Sequence, residues 1–468
     1  MGTINSAFGL MSQALDADQA GLNVVANNVA NASTPGYTEE TPTWQQNAPV
    51  EIGGISYGMG ATETGAASQR DRVLEERLDQ QQQWASASGT RLTALNTMQA
   101  LFPPDSGSSG ATAGDIGSDI TSFFDSFSSL EANPTDTALR EEVLSSASTL
   151  AGDISTAAAS LNAQQTALDQ EAGGVVSQVN SLASAVAQLN LQIESTSPHA
   201  DAGTLEDQRQ QDLSQLSQLI GINQVTTENN GLSITTTAGQ LLVSEGQSFQ
   251  LTTGTVDGVT HFFIGTADVT SGLASGGGQL GGYLTVRDSD IPNALNSLDQ
   301  LAYNISTAVN TQNQAGADLN GATGANIFAA PVQVAGSALA MSVVITDPAQ
   351  VAAAGPGLGA DDNSNAVNMA NLASQGLVNG QTPNNYYSSF VSTLGAAVNQ
   401  VQTENTAQNA SVSQLQTQRD ALSSVNLNDE ASAMTTLERS YQAAAQVFTM
   451  LDTIMASALN LGEQTTVT

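Results

Sequence analysis

Any chemistry in this chain would have to come from 2 histidines, 44 acids and 9 basic residues, because it holds no cysteine and every basic residue is arginine. His199 stands beside Pro198 in a turn, and His261 precedes Phe262 in a predicted strand. A zinc or catalytic centre draws several such ligands together. Neither histidine has a second one at ligand spacing. Asp361-Asp362-Asn363 opens like a calcium loop but lacks the later bidentate Glu, so a solvated turn is expected. The acids are numerous enough for a paired-carboxylate hydrolase, yet nothing in their spacing selects a pair. No Gly-x-Ser-x-Gly elbow, phosphate loop with lysine or His-Glu-x-x-His helix occurs. The expectation is a protein that is not an enzyme, with no catalytic, cofactor-binding or metal residues.

The densest polar signal lies elsewhere. Asn27, Asn28 and Asn31 close a helical stretch, and Pro35-Gly36-Tyr37 follows. Asn side chains near a helix end can bond free carbonyls or cap the next turn, and Gly36 permits the φ > 0 of a sharp exit. An ordinary helix stop is the plain alternative to a functional turn motif.

That motif ends an amphipathic helix. Ile4, Phe8, Met11, Leu15, Leu22, Val25 and Val29 step in a 3-4 alternation interrupted only at Asp18. The other end carries a matching seam of Met434, Leu437, Tyr441, Ala444, Phe448, Leu451, Met455 and Ala458. A helix from Asp429 to Asn460 is roughly 48 Å long. Fixing its backbone costs about 1 to 2 kcal/mol per residue, whereas each large seam residue recovers about 1.5 to 3 kcal/mol, and only when covered. Both ends therefore pair with each other or await a neighbouring subunit.

Composition narrows the partners. Charged residues make up 11%, below the roughly 25% of an average soluble protein. The net charge of −35 repels nucleic acid and anionic membrane. No run of about 18 apolar residues could span a bilayer. The first basic residue is Arg70, so the N-terminus lacks the charged segment of a cleaved signal peptide. The sparse charge is compatible with acidic surroundings, where carboxylates lose charge and Ser, Thr, Asn and Gln keep the surface wet.

The predicted fold is mainly α with an inserted β domain: a long helical-bundle stem with paired N- and C-terminal coiled-coil helices. Residues 1–36 and 425–468 form the terminal helical domain. Residues 37–224 and 283–424 form the stem, with 331–360 a short coil remnant, and 225–282 form the β domain, where the apolar period falls to two. Within the stem, a very long helix after Asp136 is expected to break or kink at Gly173-Gly174.

The Asn-Asn-x-Ala-Asn closure with Gly36-Tyr37, and Val425-Asn426-Leu427 ahead of the last seam, resemble the axial proteins of the bacterial flagellum. Leu205-Glu206-Asp207-Gln208-Arg209, Gly281-Gly282-Tyr283-Leu284 and the run from Asn310 to Gly316 extend the resemblance, within that family, to the hook-filament junction members. It runs from Ile4 to Leu461, although Glu39-Glu40 stands where the family often has Arg after the Gly-Tyr-Thr turn. The resemblance implies a structural adaptor joining hook to filament, assembled through its terminal helices into a ring of about eleven copies. It implies the hook protein and the second junction protein (hook-associated protein 3) as neighbours, an export chaperone, and an extracellular place reached by type III export without a cleaved signal peptide. A hook or distal-rod axial protein is the nearest alternative, and a helical-stalk surface adhesin is the alternative from another class.

Overall fold

The computed structural model describes residues 2–52, 54–103, 115–196 and 201–464. His199, the Ser197-Pro198 turn and most of the Gly/Ser-rich stretch after Pro103 lie outside them. The first helix, α1 (Gly2–Asn31), leads into four short strands, β1 (Glu40–Gln46), β2 (Val50–Ile52), β3 (Ile55–Tyr57) and β4 (Ala61–Ser68). β1 pairs antiparallel with β4 and β2 with β3, which makes one long hairpin. It lies on α1: Asn47 Nδ2 donates to Gln13 Oε1 at 2.9 Å, and a Cβ on Gly60 would lie 2.8 Å from Leu10 Cδ1. The hairpin thus packs with the terminal helix, although the sequence division placed everything after residue 36 in the stem.

The stem begins with α2 (Arg72–Ala100), whose N-terminus is capped by Asp71 through the amides of Val73 and Leu74. Asp115 caps α3 (Ile116–Ala132), and α4 (Thr137–Thr196) follows as a helix of 60 residues. The predicted break at Gly173-Gly174 does not occur. α4 runs through two separate cores, burying Val143, Leu150, Ile154 and Leu161 in the first and Ala172, Val175, Val179 and Val186 in the second. The two glycines sit between Ala172 and Val175 of the second core, facing open space. Each costs the helix about 1 kcal/mol, which burial on both sides outweighs.

After α5 (Thr204–Leu219) come β5 (Ile222–Thr226), β6 (Leu232–Thr236), β7 (Leu241–Ser244) and β8 (Gln247–Ser248), an antiparallel sheet in that order. A second sheet places β10 (Val259–Ile264) between β9 (Leu251–Val256) and β11 (Ala267–Asp268). Ile234, Leu242, Val243 and Phe262 are all buried in the core that covers the far half of α4. The strands end at Asp268. Residues 270–282, assigned to the β domain from sequence, form α6 (Thr270–Gly276) and most of α7 (Gly278–Thr285). Gly281-Gly282 lies inside α7, where glycine allows close contact: a Cβ on Gly282 would lie 2.6 Å from the Ala87 carbonyl oxygen of α2.

A π-helical turn, Val286–Asp290, carries α7 directly into α8 (Ile291–Ala315). Residues 316–363 are mostly irregular, with a short α9 (Ser337–Ala340), yet Phe328, Ala338, Met341 and Val351 join the first core. Segment 331–360, mostly irregular, therefore packs as a cover over the stem. Buried Arg140 holds it by donating to the Pro134 and Val351 carbonyls. After α10 (Ser364–Asn371), α11 (Pro383–Ser423) returns along α2, with Phe390 edge-on to Phe102 at 4.9 Å. α12 (Leu427–Gln464) closes the chain.

Candidate assembly interface and the joint at its base

Three contacts fix α1 and α12 side by side and antiparallel. Phe8 meets Phe448 edge to face with centroids 5.0 Å apart. Gly21 lies under Leu437, whose Cδ1 would be 3.1 Å from a Cβ there. Asn28 reaches Glu430 at 2.7 Å. Moving up one helix matches moving down the other, so the two seams meet in one register.

The pairing covers each helix only in part. Val25 and Ala444 are fully buried, while Ile4, Phe8, Met11, Leu15, Leu22, Met434, Leu437, Phe448, Leu451 and Met455 are half-buried. Val29, Tyr441 and Ala458 are exposed, so these predicted interface residues do not enter the pair. For Val29 the cause is its neighbour: Asn28 takes the inward position, and the next residue turns about 100° away. α12 also carries an apolar stripe that the sequence reading missed. Val447, Met450 and Ile454 share one face and are 41%, 62% and 52% exposed.

The Asn motif is a joint. Asn28, 1% exposed, uses its whole amide: Nδ2 donates to the Glu40 carbonyl and to Glu430 Oε1, while Oδ1 accepts from the Tyr37 hydroxyl and the Glu40 N–H. Asn31 Nδ2 donates back to the Asn27 carbonyl at 3.0 Å, and Asn27 Nδ2 donates to the Tyr37 hydroxyl at 3.3 Å. Gly36, at φ 82° and after Pro35, supplies the left-handed turn that folds Tyr37 back onto the helix end. Burial, then the charge of Glu40, pushes the Tyr37 hydroxyl well above its ordinary range, so it stays a donor. Burial also raises Glu40 and Glu430.

One residue further, Thr38 ties this joint to the stem through Asp207, which accepts from its N–H at 3.2 Å and its hydroxyl at 2.8 Å. Arg70 bridges Glu206 and Asp207, and Arg72 adds a second bond to Glu206 at 3.0 Å. Ser423, at the end of α11, accepts from the Glu39 N–H and donates to the Gln69 carbonyl. Glu39-Glu40 thus joins this network mainly through its backbone, and Arg70 supplies the positive charge. Sequence reasoning singled out Glu206-Asp207 without a role and overlooked Arg70, Thr38 and Ser423. The available signal was the sudden Arg70-Asp71-Arg72 after a long stretch without basic residues.

The remaining candidates stay apart. His261 Nδ1 lies 2.6 Å from Asp268 Oδ2 across the β10–β11 turn. The Thr270 hydroxyl and amide and then His261 hold Asp268 down at about 2. Asp362 Oδ2 accepts from the Gly355 N–H and the Ser364 hydroxyl, a turn brace rather than an open ligand. Asp119 and Asp153 share a hydrogen bond between α3 and α4, a pairing invisible in the spacing.

Comparison with known proteins places these features together. Residues 107–328 match the model described as the flagellar hook-associated protein FlgK helical domain. Residues 11–38 match the flagella basal body rod protein model, and 417–461 the C-terminal model of flagellar basal body rod FlgEFG proteins. Flagellar hook-associated protein 1 of Escherichia coli (strain K12) is 25% identical over 96% of this chain and 98% of its own. That of Bacillus subtilis (strain 168) is 26% identical over 96% of each chain. Over nearly its whole length the chain is similar to flagellar hook-associated protein 1. The two terminal family matches fall on α1 with its Asn motif and on α12, the elements that meet at the joint. In fold, the chain is similar to the flagellar hook junction protein FlgK from Burkholderia pseudomallei, with a TM-score of 0.66 at 18% identity over 75% of this chain and 100% of that one.

Proposed function

We propose that this protein is a structural adaptor of the bacterial flagellum that joins hook to filament and has no enzymatic role. Copies assemble through α1 and α12 into a ring of about eleven, with the terminal helices lining the tube, the stem outside them and the β domain projecting outward. The hook protein adjoins one side and the second junction protein, hook-associated protein 3, the other. The chain reaches this extracellular place by type III export without a cleaved signal peptide, escorted by a chaperone.

One observation carries the reading: α12 has already spent its inner seam on α1, yet Val447, Met450 and Ile454 remain exposed along its outer face. Covering each recovers about 1.5 to 3 kcal/mol, so a neighbouring subunit gains what the monomer leaves in water. The full-length relationship to hook-associated protein 1 supports the flagellar setting.

The test separates the two faces of α12. Met450→Asp and Ile454→Asp leave the monomer's melting temperature within about 1 °C of wild type, because neither side chain is buried. Both abolish incorporation into detached flagella, where tag labelling of wild type gives a band at the distal end of the hook. Normal incorporation of both variants, or labelling along the whole hook, overturns the reading.

A further inference from the structure

The tip of the long hairpin is the least supported part of the fold. β2 and β3 pair with each other, and among the described residues neither packs extensively on any further element. A two-stranded hairpin standing alone is marginally stable in water. The register sets Val50 opposite Tyr57, with Ile55 two positions before Tyr57, so these three side chains share one face. They are 44%, 46% and 59% exposed for Val50, Tyr57 and Ile55. Glu51 and Ser56, the opposed pair between them, belong to the other face. The tip is amphipathic, and its own chain leaves the apolar face open.

Two contacts fix its height along the terminal helices. Asn28 bonds the backbone of Glu40, and Gln13 bonds Asn47. Between these points the strand advances about 23 Å and the helix about 22 Å, so the hairpin runs along α1 towards its N-terminus. At the same pitch Val50 and Tyr57 stand about 10 Å beyond Asn47, just past Phe8. Phe8 lies against Phe448. The Val50–Tyr57 pair therefore comes level with Met450 of α12, and Ile55 with Ile454. Those two residues and Val447 form the outer stripe of α12, an exposed apolar face at the same height. Neither face carries a charge: Glu51 is on the far side of the hairpin, and Asp452 turns about 200° away from Met450.

Two apolar patches at one height on one subunit, which do not meet within it, suit a heterologous contact, and rotation about an axis parallel to the helices closes such contacts into a ring. Resting on the reading of α1 and α12 as the assembly elements, we propose that the β2–β3 tip of one copy covers the Val447–Ile454 stripe of the next copy. A second copy is the occupant because the match in height and in length is between two parts of this same chain.

The test uses the full chain in detached flagella. Tyr57 is replaced by the photo-crosslinker p-benzoylphenylalanine, and the illuminated product is digested and sequenced. A dimer of this chain that links position 57 to a peptide within 446–458 is expected. A link within one chain, a link to a different protein, or no link overturns the inference. Should that variant fail to incorporate, Val50→Ser combined with Tyr57→Ser decides. Its monomer melts within about 1 °C of wild type, because both side chains are exposed, while its incorporation falls at least about tenfold. Incorporation at the wild-type level overturns the inference. If Met450→Asp is then still excluded from flagella, only the hairpin contact falls and assembly through α12 stands.

Discussion

Asn28 and Glu430 stand 402 positions apart and share a buried hydrogen bond of 2.7 Å. It joins the first helix to the last, and Asn28 spends its other three bonds on Tyr37 and the backbone of Glu40. Replacing it with leucine takes the partner from two donors and two acceptors, at about 1 to 3 kcal/mol for each that stays unpaired. We expect Asn28→Leu to detach α1 and α12 while the stem, with its own two cores, melts as in wild type. Hydrogen exchange reads this directly: protection falls by about two orders of magnitude in 2–31 and 427–464 and holds in 137–196. A uniform loss of protection would mean that the ends and the stem fold as one unit.

The stem has its own sensitive point in Gly282. A Cβ there would meet the Ala87 carbonyl oxygen at 2.6 Å and Thr90 Cβ at 2.8 Å, neither of which is a flexible chain end. Alanine is the better helix former by about 1 kcal/mol, so propensity alone predicts stabilisation. The clash decides otherwise. Gly282→Ala should lower stem stability by about 1 to 3 kcal/mol, whereas Gly174→Ala, facing open space, should raise it by up to about 1 kcal/mol. Chemical denaturation of the two variants gives both signs.

Those glycines also show where the sequence misleads. Periodicity located the helices well, because a 3-4 alternation has one physical meaning when it persists for several turns. Glycine does not: Gly173-Gly174 reads as a break and is passed through, whereas Gly282 sits at a helix–helix contact. Only the position of α2 against α7 distinguishes the cases, and that is tertiary information. The joint was half legible for the same reason. The three Asn and Tyr37 are local in sequence and could be singled out, whereas Arg70, Glu206, Asp207 and Glu430 acquire meaning only when four distant segments converge. Val29 and Tyr441 followed the seam's spacing, but a buried Asn28 displaced one and the edge of the pair exposed the other.

The last prediction concerns acid. Burial lifts Asp79 to about 7, even though Gln224 and Gln210 donate to it, and Asp119 is raised by burial and by sharing a proton with Asp153. A carboxyl whose folded value lies above its unfolded one, about 3.9, stabilises the fold fully below that unfolded value and loses the contribution as pH rises through the folded value. Stability should therefore climb as pH falls from about 8 to about 4. Asp268 and Asp362, both held low by hydrogen bonds, act in the opposite direction and take stability away only as pH drops further, towards 2. Asp79→Asn and Asp119→Asn remove the charge that must otherwise be buried or shared. Each should raise the melting temperature at pH 8 and flatten the climb between pH 8 and 4. Melts recorded across that range check it; a wild type most stable at pH 8, or variants that melt lower there, would show that these carboxyls are accommodated as anions.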